Sequence, residues 1–541
     1  MAALALRAFM HIVAVSSPPV SPPFLERGTV THSRRRVARA ASLVMAAFAL
    51  SGALGLVRQI VIGDEFGTSA DLDSYQAAAR ISELVFMVLV GGALGSAFIP
   101  TYTRHLVRGD PHSGWRLASA VANLAVLALT IFSVLIAILA PLLVPTVIAP
   151  GFSADQQLLT VRLLRLLLVA PAIFGASAVA MAVLNAHQHF LLPSLAPSVY
   201  NLSLIGSTLL LPEGMGVWRL AIGSVAGALF HLLIQVPALL RLGARYIPSL
   251  GLGLPDVREV ARLMIPRIIG TSITQINFVV NNSLATGMGE GAVSAINYAW
   301  PLMLLPQGVF AQAAATAAFP TFADQEARGQ RAEMRSTVAA VLRAVFLFSL
   351  PATVGLVVLA RPLVALLFER GAFEASSTEA VAWALALYAV GLVGHSGVEI
   401  AARAFYALRD TFTPVWVGGV AVAANIVLSL TLPPLFRTAG WPEHAALALA
   451  SSLAALAQLA GLLCLLRSRL GGLEGRAITA SLARTALAAA GMLLLLCAWQ
   501  AALPDRDPLL VGGGGVVLGA AFFLLATWLL QRQELRRWID R

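Results

Sequence analysis

The stretch "AFIPTYTRHLVRG" runs from Ala97 to Gly109, and "AFPTFADQEARG" runs from Ala318 to Gly329. Pro100, Thr101 and Tyr102 with Arg108 and Gly109 in the first match Pro320, Thr321 and Phe322 with Arg328 and Gly329 in the second, at an offset of 220. Farther on, "APGF" at 149–152 has a counterpart in "RGAF" at 370–373. Pro193 and Pro414 lie 221 apart, and Asn201 and Asn425 follow in the next apolar stretch. Several matches in one order at nearly one offset define an internal repeat.

Composition says what is repeated. Of 541 residues, 58% are hydrophobic and only 12% charged, against roughly 25% charged in soluble domains. A soluble chain this apolar could not cover its own surface, so the class is an all-α polytopic membrane protein. The net charge is +11, and all 37 basic residues are arginine. They are scattered through short loops and form no dense patch, which argues against a nucleic-acid partner. Cys464 and Cys497 both lie in apolar runs, with no disulfide framework and no zinc spacing.

After Arg34-Arg35-Arg36 the chain breaks into about fourteen apolar stretches of spanning length, near 37–62, 75–103, 115–146, 158–185, 192–212, 217–241, 258–286, 292–320, 336–360, 378–407, 413–433, 443–467, 478–503 and 509–531. No alternation of period two suggests a barrel. Residues 1–36 are too short and too proline-rich to span. They read as a disordered tail, with a cleaved signal peptide as the alternative. Alternate loops are arginine-rich, from Arg34–Arg39 through Arg104, Arg108, Arg241, Arg245, Arg328 to Arg335 and Arg467 to Arg476, ending with a tail at 532–541. The others are acidic or neutral, such as "GDEFGTSADLD" and "GMGEG". The positive-inside rule then puts both termini in the cytoplasm, with the Gly63–Ser74 and Gly287–Gly291 loops outside.

The repeat unit holds six spans. An even number gives both copies the same orientation, so the repeat is parallel. The expected plan is an N-lobe at 37–245, a C-lobe at 258–467 and two additional helices at 478–531. Several transporters share such a plan, with the substrate site between the halves.

Charges inside apolar runs are costly and usually face a cavity. Arg58 follows Gly52 and Gly55 in "SGALGLVRQIVIGDEFG". It lies roughly 30 Å along the first helix from Val37, where it either snorkels to the interface or faces a cavity. The glycines permit a hinge or a close helix contact. Arg80 and Glu83 are three apart on the second span, and Glu399 and Arg403 four apart on the tenth. Each pair is either a structural ion pair or part of a cavity wall. The seventh span, "PRIIGTSITQINFVVNN" (266–282), is polar for a membrane helix. Gln275 and Asn281 on it either bond neighbouring helices or line a cavity. Gln307 and His395 are weaker candidates, and Asp71 reads as a solvated loop residue. No nucleophile elbow, P-loop or metal spacing is present, which excludes the common enzyme classes.

Several segments resemble the MurJ (MviN) family of lipid II flippases, in the MOP transporter superfamily. They are "LGLVRQIVIGDEFG", "GGALGSAFIPTY" (Gly91–Tyr102), "INYAWPLMLLPQGVFAQAAATAAFPTFA" (Ile296–Ala323), "FERGAF" and "FYALRDTFTPV" (Phe405–Val415). The resemblance implies fourteen helices around a central cavity. It implies transfer of undecaprenyl-diphosphate-linked disaccharide pentapeptide from the inner to the outer leaflet by alternating access, for wall synthesis. Carried over position by position, it places Arg58, Asp73, Arg80, Glu399 and Arg403 in the cavity. Three basic residues common in the family are replaced by Gly52, Phe86 and Pro301. The alternatives are a related exporter of another polyprenyl-linked glycan and a transport-inactive paralogue serving as a scaffold. The implied partners are a lipid-linked glycan and membrane lipid, with the cell wall synthesis machinery as the candidate protein partner. No cofactor or metal is expected. Coupling to the membrane potential or to an ion is left open.

Overall fold

In a computed structural model of the protein, residues 27–90, 93–503 and 507–539 are described. Helices occupy every one of the fourteen apolar stretches, and no strand occurs among the described residues. Among the described residues, ten helices are long and apolar enough to cross a membrane, or eleven when a bent pair is taken as one span. The three stretches that fall short are helical but more polar or broken, as the seventh span's row of Thr, Ser, Gln and Asn residues foreshadows.

The chain divides into two compact units. The first runs to Ser294 and also includes Arg370–Phe373; the second comprises Ala295–Glu369 and the chain from Glu374 onward.

The first unit contains α1 (Arg27–Phe66), α2 (Ala70–Leu89), α3 (Ala93–Val107), α4 (Pro111–Leu143), α5 (Ala154–Leu167), α6 (Ala170–Ala186), α7 (Leu191–Leu210), α8 (Trp218–Leu233), α9 (Val236–Arg241) and α10 (Pro255–Ala285). Helix α1 begins ten residues before the expected boundary at 37. It also extends through the charged "GDEF", so the expected outer loop 63–74 shrinks to Gly67–Ser69. Two contacts explain this. Glu65 pairs with Arg219 of α8 at 2.5 Å, and Gly67 stops the helix at φ +56, its N–H bonding Gly63 O at 2.8 Å. The side chain of Ser69 then caps α2 by accepting from Leu72 N. Helix α10 packs against α2, α3 and α4, and so belongs to the first unit, whereas the sequence reading grouped the seventh span with the C-lobe.

Lipid supplies no hydrophobic drive between helices, so contact depends on close packing and interhelical hydrogen bonds. Along α7 and α8 this requires Gly223, where a methyl group would fall 1.9 Å from Ser207 Oγ.

The second unit contains the remainder of α11 (Ala292–Gln307), α12 (Ala313–Ala327), α13 (Arg331–Val358), α14 (Ala360–Phe368), α15 (Ala375–Val390), α16 (Leu392–Ala407), α17 (Phe412–Thr438), α18 (Glu443–Arg469), α19 (Gly475–Ala502) and α20 (Gly514–Ile539). Its core joins Phe322 of α12, Leu342 of α13, Phe405 of α16 and Leu462 of α18. A second cluster ties α19 and α20 to α13 through Leu347, Met492, Leu496 and Phe523. Helix α20 runs past the expected boundary of a cytoplasmic tail at 532, consistent with the good helix formers in "QRQELRR".

The repeat is written in the backbone. Pro100 and Pro320 both sit inside helices. The spans at 158–185 and 378–407 are each broken in two, as α5/α6 and α15/α16, the latter pair bent by 43°. Left-handed backbone recurs at Gly109 and Gly329, at Gln188 and Arg409, and at Gly216 and Gly440. For non-glycine residues this conformation is uncommon. Finding it at Gln188 (φ 61) and Arg409 (φ 59), 221 positions apart, shows the same turn built twice.

Candidate functional site

The polar residues of the first unit converge where α1, α2, α7 and α8 meet. Arg58 is half-buried on α1. Its Nη1 donates to Asn201 Oδ1 at 3.0 Å, and Asn201 Nδ2 donates to Ser51 O at 3.2 Å. A methyl group on Gly55 would lie at an ordinary 3.7 Å from Asn201 Nδ2, and nothing lies within 4 Å of one on Gly52. Helix α1 runs uninterrupted through both glycines. A helix whose i to i−4 bonds are intact needs no glycine hinge to aim Arg58; the hydrogen bond to Asn201 does so.

Arg58 has no carboxylate within ion-pair distance among the described residues, and its buried Nε has no partner there. An arginine inside an apolar helix without a counterion is costly, and it keeps donors available for an anion. Tyr75 and Tyr200 lie within electrostatic reach of both Arg58 and Glu83, and Tyr75 Oη is 2.9 Å from Ser224 Oγ.

Arg80 is drawn to α10. Its guanidinium stacks over Phe278 at 4.2 Å and pairs with Glu83 at 2.8 Å. Glu83 is exposed. On α10, Gln275 is half-buried, whereas Asn281 is buried, with its Nδ2 donating to Asn277 Oδ1 at 3.3 Å. In the second unit Arg403 and Glu399 pair loosely at 3.8 Å, both about one-third exposed. Each pair expected from the spacing has formed.

Asp73 takes a different role from the cavity position expected for it. It is fully buried. Its Oδ2 accepts from Gly291 N at 2.8 Å, and its Oδ1 accepts from Ser294 N at 2.7 Å and Ser294 Oγ at 2.6 Å. The carboxylate thus caps the N-terminus of α11, where unpaired N–H groups and the helix dipole favour an anion. Glu290 returns the favour to α2, accepting from Ala70 N at 3.0 Å. Asp71 is exposed, as expected.

Asn201, Tyr75, Tyr200 and Phe278 were missed as site residues. Asn201 carried a signal in its match to Asn425. The tyrosines and Phe278 carried none, because aromatic residues in apolar runs read as packing. No cluster of His, Cys, Asp and Glu suited to a metal occurs among the described residues.

The family model described as lipid II flippase MurJ matches residues 62–504. The lipid II flippase MurJ of Burkholderia cenocepacia is 30% identical over 404 residues, covering 72% of this chain and 77% of that one. The probable lipid II flippase MurJ of Vibrio cholerae is 29% identical over 437 residues, covering 79% and 82%. Among solved structures, a lipid II flippase MurJ in an inward closed conformation superposes with a TM-score of 0.77 at 22% identity, covering 91% of this chain and 99% of that one. An inward-facing multidrug resistance MATE family transporter of the MOP superfamily gives 0.66 at 15% identity, covering 80% and 99%. Both have the same all-helical fold. With a family match over most of its length, the chain belongs to the lipid II flippase MurJ family.

Proposed function

We propose that this protein moves lipid II, the undecaprenyl-diphosphate-linked peptidoglycan precursor, from the inner to the outer leaflet by alternating access, with both termini in the cytoplasm. Family membership supports the reaction class. The observation that carries it to this chain is Arg58, a half-buried arginine in a membrane helix with an unused buried donor and no counterion among the described residues.

A diphosphate leaving water must recover its lost hydration through charge-assisted hydrogen bonds. Each such bond contributes about 1.5–3 kcal/mol. Arg58 supplies them from a guanidinium that Asn201 holds in place. Arg80, held between Phe278 and Glu83, is the second cation of the same unit. Glu399 and Arg403 form a loose pair within the second unit. Flipping forms and breaks no covalent bond, so these residues bind and release, and the reading requires no cofactor.

With Gly52, Phe86 and Pro301 at positions often basic in the family, Arg58 has a larger share of the headgroup here. The test is complementation. A bacterial strain depleted of its own lipid II flippase should grow when this chain is expressed. Lysis despite normal membrane levels of the protein would reject lipid II as its substrate.

A further inference from the structure

Asp73, Gln76, Arg80 and Glu83 stand at i, i+3, i+7 and i+10 on α2, so they share one face of the helix. Three of them have their polar atoms engaged. Asp73 caps α11 through Gly291 and Ser294. Arg80 lies over Phe278 of α10, 4.2 Å from the ring centroid, and pairs with Glu83. Gln76 is the exception. It is half-buried, and its Oε1 is buried with no hydrogen-bond partner among the described residues.

The neighbouring helix explains the setting. Ala70, at the start of α2, bonds Glu290 just beyond the end of α10. Farther along α2, Arg80 meets Phe278, farther back along α10. The two helices are therefore antiparallel. One turn from the Arg80–Phe278 contact toward Ala70, Gln76 comes level with Asn281 and Asn282, both buried. Asn281 directs its Nδ2 along its own helix, to Asn277 Oδ1 at 3.3 Å. A glutamine in a membrane helix ordinarily bonds the next helix, and a buried amide oxygen left unpaired is costly.

We propose that Gln76 is a specificity residue that reads the sugar of the transported lipid rather than its diphosphate. This rests on the lipid II reading above and assigns the substrate's second recognition element. A side-chain amide offers an acceptor and a donor group. The oxygens of a sugar-linked diphosphate are ionised and only accept, so they cannot satisfy Oε1. A sugar hydroxyl or an N-acetyl N–H can. Gln76 lies one helical turn, about 5 Å, from Arg80. A diphosphate held by the Arg80 guanidinium thus brings the sugar joined to it within reach of Gln76. A bare polyprenyl diphosphate has no such group to offer.

The test compares the affinities of lipid II and undecaprenyl diphosphate for the purified full-length protein in detergent. Gln76→Met keeps the length of the side chain and removes the amide. It should weaken lipid II several-fold and leave undecaprenyl diphosphate unchanged, so the ratio of the two affinities shifts by the same several-fold. Arg80→Met should weaken both ligands. A glutamine that only joined α2 to α10 would behave differently. Its loss would lower the unfolding midpoint and weaken the two ligands alike, with the ratio unmoved.

Gln76→Leu replaces Gln76→Met if the latter does not fold. An unchanged ratio in a folded variant, when the native chain does bind lipid II, overturns the role of Gln76 and leaves the proposed function standing. Native protein that binds undecaprenyl diphosphate but no lipid II, or binds neither, rejects the proposed function and this inference with it.

Discussion

Arg58 could be located from its place in an apolar run, but the reason it points where it does could not. That reason is Asn201, which lies 143 positions away and meets Arg58 only after α1 and α7 pack. Arg58→Ala should abolish transport with little loss of stability, since Arg58 makes one side-chain hydrogen bond and no ion pair among the described residues. Arg58→Lys should restore it only in part, because lysine keeps the charge but loses the planar fork. Transport rates normalised to membrane expression check both, and full activity in Arg58→Ala would return the residue to an interface role. Asp73 illustrates the opposite case. Its position at a loop edge and its family resemblance pointed to a cavity, but burial and three hydrogen bonds make it a helix cap. Asp73→Ala should destabilise the protein by about 2 kcal/mol, the cost of leaving buried donors unpaired, seen as a lower unfolding midpoint in detergent. Glu290→Gln, at an exposed site, should cost clearly less.

Among the elements, legibility followed hydrophobic contrast. Long apolar helices were placed to within several residues. The errors fall where polar residues are satisfied inside the structure. "GDEF" reads as a loop, yet it is helical because Arg219 neutralises Glu65. The break between α5 and α6 is followed at once by Pro171, in the first turn of α6, whereas that between α15 and α16 is marked only by Gly391. Turn chemistry was equally silent at Asp410, before α17. Its carboxylate accepts from Thr413 N at 2.9 Å and Thr413 Oγ1 at 2.7 Å, and these bonds hold it below the usual carboxylate range. A group whose folded-state value is depressed contributes stability above its unfolded value, near 3.8, and loses it as pH falls through the lower folded value. The stability gap between the native chain and Asp410→Asn should therefore be constant from neutral pH to about 5 and close progressively below about 4. A gap that widened in acid would contradict the cap.

For the whole molecule, the repeat was the most informative feature. Its backbone signature returns at Gln188 and Arg409. The protein is a multi-pass protein of the bacterial inner membrane. The arginine-rich loops predict its orientation. A cysteine at Ser69 should react with an impermeant maleimide added outside intact cells, and one at Ser113 only after permeabilisation. The reverse pattern would invert the proposed direction of transport. Within the first unit, the joining of α10 to α2, α3 and α4 was not legible, because its interhelical contacts depend on side chains scattered through sequence. The central claim is that this chain carries lipid II across the membrane. The most direct measurement is the exposure of the lipid II headgroup at the outer leaflet of flippase-depleted cells, read by an enzyme that cleaves it from outside. With this chain expressed, cleavage should return towards the undepleted level and should be lost again in Arg58→Ala. Headgroup that remains protected while the native chain is abundant in the membrane would contradict the account.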